Sequence, residues 1–174
     1  MTTQSFSTKI ARVWRQLCFM PYRQQHLLTT ANQDAFARAI ADAEQGHRGE
    51  IMLIIEPHLP ISTAFHQTCQ ERANELFALH RVWDTENNTG ILVYINLCEH
   101  YLHIVADRGI CAKTLNTTWQ TLCQTALSTI KQGDFALGVC TLIQELGALL
   151  QTHFPSDDDF GNELLNPVSY THLR

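Results

Sequence analysis

The chain has 174 residues, of which 45% are hydrophobic and 17% charged, and its formal net charge is −5. This composition is typical of one globular domain with a proper core, and it excludes a disordered or fibrous chain. Because binding to phosphate backbones needs a basic face, the acidic balance also argues against nucleic acid as a partner.

The first predicted element, within residues 1–24, is a short basic amphipathic helix. Its apolar residues recur at helical spacing, its basic residues project from roughly the opposite side, and Pro21 ends it. The apolar residues are Phe6, Ile10, Val13, Trp14 and Leu17, and the basic ones are Lys9, Arg12 and Arg15. Two interpretations stay open: residues 5–20 bind a membrane surface or a membrane-protein partner, or the helix covers the domain's own sheet.

Targeting signals are not expected. The basic residues interrupt the only candidate signal peptide, and no run approaches the roughly 20 apolar residues that cross a bilayer. The six cysteines show no C-x-x-C spacing, so we expect reduced, structural thiols. These features predict a cytoplasmic protein, peripheral at the inner membrane if the first helix binds lipid.

The next elements predict a parallel pair of strands. Thr30 and Gln33 form a possible capping box for a helix that ends at Gly46. Residues 50–56 form an apolar run without alternation, which indicates a strand covered on both faces. One helix is expected from Ser62 or Thr63 to about Val82, leading to the next strand.

Two strand-length runs, residues 90–97 and 101–106, are joined by a few polar residues and predict an antiparallel hairpin. If Leu97 faces His100, the numbers of paired residues sum to 197. Gly90 then lies opposite Asp107, and residues 84–88 lie beside Asp107 and Arg108.

Two further helices complete the predicted domain. One carries an apolar stripe between Trp119 and Ile130 and ends at Gly133, and Asp134 can cap the other. The expected fold is α/β: a small mixed sheet, with a parallel pair and an antiparallel hairpin, covered by four to five helices over residues 25–154.

Residues 155–174 are expected to be a loose polar tail. The last residues, 167–174, resemble the translation of a transposon-end adapter used in sequencing libraries. On this interpretation the natural sequence is lost after about Asn166, and Tyr170 and His172 carry no function.

The order of several short motifs resembles the TPM domain family, which includes a thylakoid acid phosphatase and many bacterial membrane-associated proteins. The motifs are Glu71 to Phe77, Asn88-Thr-Gly90, the hairpin, Asp107-Arg-Gly-Ile110 and Gly133-Asp-Phe135 with Gly138. The resemblance covers roughly residues 30–154 and implies a short soluble branch of the family. Its members usually carry Asp-Arg at the hairpin turn, where this chain has Glu99-His100.

Hard oxygen donors cluster at the predicted end of the hairpin. They suit Ca²⁺ or Mg²⁺, and the candidate metal ligands are Asp84, Glu86, Asn87, Asn88 and Asp107. A bound ion could hold a phosphate, with Arg108 as a forked donor, so the candidate catalytic residues are Asp84, Asp107 and Arg108. The alternative is a solvated loop beside a salt-bridged turn.

Other chemistry has weaker support. The nine histidines are scattered, so zinc is not expected, and Glu56 should lie at the opposite end of the sheet from Asp107. Three hypotheses follow: a TPM-domain accessory protein acting at the cytoplasmic membrane face, a metal-assisted acid phosphatase acting on phosphate esters, and a structural binding module without an ion.

Overall fold

The computed structural model describes residues 6–156 and 168–170. Seven α-helices, one 3-10 helix and four strands make up this part of the chain. The helices are α1 Phe6–Cys18, the 3-10 helix Pro21–Leu27, α2 Thr30–Ala43, α3 Ile61–His66, α4 Cys69–Leu79, α5 Arg108–Cys111, α6 Asn116–Lys131 and α7 Phe135–His153. The strands are β1 Ile51–Glu56, β2 Ile91–Asn96, β3 Tyr101–Ala106 and β4 Val168–Tyr170.

The strands form one mixed sheet in the order β3-β2-β1-β4. β1 and β2 are parallel, and β2 and β3 form the antiparallel hairpin. Ile91 pairs with Ala106 and Asn96 with Tyr101, so the predicted register is confirmed. The Asp107 N–H donates to the Gly90 carbonyl at 2.9 Å, which closes the hairpin at the predicted end.

The fourth strand was not expected. Val168–Tyr170 pairs in parallel with residues 53–55 of β1, so this part of the predicted loose tail is ordered. A β-branched and an aromatic residue suit the open edge of a sheet, whatever their origin. The adapter interpretation stays a prediction, and Asn166 and His172 lie outside the described residues.

Strand β1 is buried on both faces, as predicted from its unalternating apolar run, and β2 is buried in the same way. One face carries Leu53 and Val93 and is covered by α2, α6 and α7, whereas the other carries Ile54 and Tyr94 and packs against α4. All twelve residues of β1 and β2 are buried. The α/β class and the mixed sheet are therefore confirmed.

Helix α7 is long and apolar enough to cross a bilayer by length and composition alone, contrary to the expectation for this chain. A core helix of a soluble fold passes the same test. The buried residues of α7 belong to the core beneath the sheet, and they include Phe135, Val139, Leu142, Leu146 and Leu150.

The expected single helix from Ser62 or Thr63 to Val82 is wrong. The chain forms two helices, because Thr68 caps α4 in a capping box: its hydroxyl accepts from the Glu71 N–H, and Glu71 accepts from the Thr68 N–H. The cap of α2 also differs by one residue, since Thr29 rather than Thr30 accepts from the Asn32 N–H.

The structure shows how α1 lies against the domain, a point on which the sequence left two interpretations open. Arg12 and Gln16 are buried against the domain, and Lys9 lies 5.7 Å from the ring centroid of Phe65. Trp14 and Leu17 are instead 63% and 54% exposed. The helix therefore docks through a largely polar side and leaves much of its apolar stripe in solvent.

Candidate functional site

The candidate site is the corner where β3 passes into α5. Asp107 is the N-cap of α5, and its Oδ1 accepts from the Arg108 N–H at 2.7 Å. A carboxylate is favoured at this position because the first backbone N–H groups of a helix need acceptors. The hairpin and the cap together hold Asp107 in place.

The loop before β2 lies directly beside this corner. The Arg108 Nε donates to the Asn88 Oδ1 at 3.1 Å, and the Gly109 N–H donates to the Asn88 carbonyl at 2.9 Å. A Cβ on Gly109 would lie 2.4 Å from the Asn87 carbonyl oxygen, so only glycine allows this approach. The structure thus brings together Asn87, Asn88, Asp107 and Arg108.

Two polar atoms in this corner are buried without a hydrogen-bond partner among the described residues, Asp107 Oδ2 and Asn87 Nδ2. An unpartnered buried carboxylate oxygen is costly, and a cation is a suitable partner for it. The Asn88 Oδ1 also lies in this corner, but it already accepts a hydrogen bond from Arg108. Asp107 Oδ2 is therefore better placed than Asn88 Oδ1 to bind a metal ion.

Asp84 and Glu86 are exposed on the same loop. Within residues 6–156 and 168–170, no three His, Cys, Asp or Glu side chains group closely enough to hold a metal ion. A divalent ion at Asp107 would therefore need amide or water oxygens as well. The ligand set remains a prediction, and the hydrogen bonds support the corner more strongly than the two exposed carboxylates.

A buried polar network lies at the opposite end of the sheet, where sequence reasoning placed Glu56 and assigned it no role. Glu56 is fully buried and accepts from Arg72 Nη2 at 2.8 Å and from the Tyr94 hydroxyl at 2.6 Å. The Asn96 Nδ2 donates to the Tyr94 oxygen at 3.2 Å. A glutamate that ends a fully apolar strand was the available signal for this network.

Burial and the charge of Glu56 shift the pKa values of the two side chains that bind this carboxylate. Burial opposes the charge on Arg72, but hydrogen bonding and attraction from Glu56 raise the pKa of the guanidinium overall. Burial, reinforced by the Glu56 charge, raises the pKa of Tyr94 far above its usual range. The tyrosine therefore stays neutral and acts as a donor that ties β2 to Glu56.

The turn at this end of the sheet also receives α1. Gln16 donates to Glu99, and its Oε1 accepts from the Leu59 N–H at 2.8 Å. Arg12 donates to the Gln67 carbonyl, and Arg15 lies 3.5 Å from Glu99. Arg12 and Arg15 of α1 thus make contacts within the domain, which leaves less of the positive charge of this helix for an outside partner.

The two buried cysteines, Cys69 and Cys98, are poorly suited to act as nucleophiles. All six thiols are free. Burial raises the pKa of Cys69 to about 12 and that of Cys98 to about 11, so both are thiols at neutral pH.

A pair of acidic residues lies at the amino end of β1. Glu44 caps α2, and its Oε1 accepts from the Ile51 N–H at 2.9 Å. Burial raises the pKa of Glu44 to about 8 against the lowering effect of that hydrogen bond, and Glu50 raises it further. Glu44 is therefore largely protonated at neutral pH.

The fold and this corner define an α/β domain with a hairpin closed at an aspartate-capped helix. The family model for the TPM domain matches residues 22–149, and the chain belongs to this family. The NMR structure of BA42 protein from the psychrophilic bacterium Bizionia argentinensis is similar, with a TM-score of 0.72 and 27% identity. The match covers 82% of this chain and 94% of that one. No curated protein matches in sequence.

Proposed function

We propose that this TPM-domain protein is an accessory protein that binds the cytoplasmic membrane face through α1. The outward apolar face of α1 carries the proposal: Ile10, Trp14 and Leu17 are 39%, 63% and 54% exposed. Large apolar side chains clustered on one helix face favour an interfacial position, and tryptophan suits the headgroup boundary.

Apolar insertion should contribute more than charge to this binding. Arg12 is buried and Arg15 is close to Glu99, so few cations on α1 can reach anionic lipid. The chain as a whole is also acidic. We therefore expect binding to depend weakly on salt and on the anionic lipid fraction, because both act through screened charge.

The test is flotation of the full chain with phosphatidylcholine vesicles, with and without phosphatidylglycerol. The double variant Trp14→Ser/Leu17→Ser should lower the partition coefficient at least about tenfold, since it removes two apolar side chains from the interface. The matched control is Trp83→Ser/Leu137→Ser, which changes residues that are 48% and 54% exposed elsewhere.

Equal flotation of the two double variants would contradict the membrane proposal. If neither the wild type nor the variants float with vesicles, but α1 binds a purified membrane protein, the apolar face of α1 belongs to a protein partner.

The corner at Asp107 favours a second candidate function, a divalent-metal-assisted phosphatase acting on phosphate esters. The unpartnered, buried Asp107 Oδ2 could bind Ca²⁺ or Mg²⁺, and the nearby Arg108 guanidinium could bind phosphate oxygens. Asp84, Glu86, Asn87 and Asn88 would complete the donors on the adjoining loop.

The Asp107→Asn variant should lower metal-dependent hydrolysis of an aryl phosphate at least about 100-fold, because it removes the anionic oxygen from the ion. Asparagine still caps a helix, so the fold should be kept. Asp134→Asn is the matched control, since Asp134 caps α7 through its Oδ1 at 3.0 Å from the Leu137 nitrogen.

Hydrolysis that is unchanged by Asp107→Asn would overturn this assignment. If neither hydrolysis nor a shift in Tm follows the addition of Mg²⁺ or Ca²⁺, the corner is structural, because an ion that binds only the native state must raise Tm.

A further inference from the structure

A cavity of about 110 Å³ lies away from both α1's apolar face and the Asp107 corner. It lies between the 3-10 helix, the carboxyl end of β2 with its hairpin turn, and the facing ends of α6 and α7. In open α/β sheets, crevices at the carboxyl ends of strands are the usual places for ligands. Its position, at the end of the sheet opposite Asp107, makes it a separate candidate site.

The walls of this cavity are mostly apolar. They include Leu27, Leu102, Leu127, Ile130 and Phe135. The volume is several times that of the space a single water needs, and apolar cavities of about 150 Å³ bind benzene-sized molecules. The walls therefore suit the ring or branched chain of a small organic molecule better than a cluster of waters.

Five lining residues carry polar side-chain atoms, namely Gln24, Asn96, His100, Tyr101 and Lys131. The Gln24 side chain lines the cavity, and its buried Oε1 has no hydrogen-bond partner in the described part of the chain, so a turn of the side chain brings this acceptor to a ligand. Lys131 and His100 also line the cavity, and both are exposed. His100 is held in the left-handed backbone conformation of the hairpin turn, with φ of 49°.

These groups define the chemistry of a ligand. A carbonyl oxygen without a donor calls for an O–H or N–H group on the ligand, because a buried acceptor left unpaired is costly. The Lys131 ammonium calls for an anion near the mouth. We infer that this cavity binds a small aromatic anion that carries a hydrogen-bond donor, with its ring among the apolar walls, its donor on Gln24 and its anionic group on Lys131.

The probe is 4-hydroxybenzoate, which has both functional groups, compared with benzoate and phenol, which each have one. Titrations of the full chain followed by backbone NMR shifts should give perturbations at the lining residues. We expect benzoate and phenol each to bind about tenfold more weakly than 4-hydroxybenzoate, the usual loss when one strong hydrogen bond is absent.

Two variants test the roles of the polar groups. Gln24→Met should weaken the binding of 4-hydroxybenzoate about tenfold and leave the binding of benzoate unchanged. Lys131→Met should weaken the binding of both compounds. Arg38→Met is the control, since Arg38 is an exposed cation of α2 that does not line the cavity. Leu127→Phe should fill the space, raise Tm and abolish binding of the probe, because filling an existing cavity adds packing contacts.

Benzoate binding as tightly as 4-hydroxybenzoate would overturn the role of Gln24. Unchanged binding in Lys131→Met would overturn the role of Lys131. NMR shift changes confined to residues outside the lining would overturn the site itself. Binding that persists in Leu127→Phe would do the same.

Discussion

Replacing Arg72 with leucine is expected to lower the free energy of unfolding by about 3 to 5 kcal/mol, because Glu56 loses its cation while still buried. In the intact protein the Glu56 side chain is fully buried and that of Arg72 is only 13% exposed. The Tyr94 hydroxyl would then be the main remaining partner of the carboxylate. Urea denaturation followed by circular dichroism measures the loss.

The control is Glu75→Gln, which removes the other carboxylate that binds the same arginine. Glu75 accepts from Arg72 Nη1 at 3.0 Å, but its side chain is 47% exposed. Exposed ion pairs contribute little, so this variant should cost less than about 1 kcal/mol. If both variants lose the same stability, the buried pair does not hold α4 to the sheet.

The Gly109→Ala substitution is expected to cost about 2 to 3 kcal/mol and to separate the candidate site into its two halves. The new Cβ would lie 2.4 Å from the Asn87 carbonyl oxygen and 2.6 Å from that of Asn88. Both atoms are backbone, so the loop must move away from α5. Urea denaturation gives the cost, and NMR shifts of Asn88 and Arg108 report the separation.

Gly133→Ala separates this steric effect from the general cost of replacing a glycine. Gly133 has a φ of 101°, and beyond its two chain neighbours no atom lies within 4 Å of its ideal Cβ. Its replacement should cost about 1 kcal/mol through backbone strain, with no change at Asn88 or Arg108. A Gly109 variant that behaves in the same way would show that the close approach contributes no stability.

Local pattern was enough to predict three of the four strands of the sheet, β1, β2 and β3. The unalternating apolar run of residues 50–56 indicated a strand buried on both faces, and a short polar turn at Cys98 to His100 set the pairing of β2 with β3. That register alone predicted that Asn88 and Asp107 lie close together. Such features depend on residues close in sequence, so they can be derived without the rest of the fold.

The orientation of α1 could not be derived in this way. Its docking depends on distant backbone groups, the Gln67 carbonyl and the Leu59 N–H, which satisfy Arg12 and Gln16. Periodicity identifies an apolar stripe but does not say whether the domain or the solvent receives it. The break before α4 was different, because the capping box Thr68-Cys-Gln-Glu71 was present in the sequence and was overlooked.

The protonated carboxyl of Glu44 links folding to acidity. An unfolded chain releases this proton near pH 4.5, whereas the native protein keeps it to about pH 8, so native molecules bind more protons between these values. Alkalinisation across that window therefore shifts the equilibrium toward the denatured ensemble. By this contribution, the protein tolerates mild acid better than mild base.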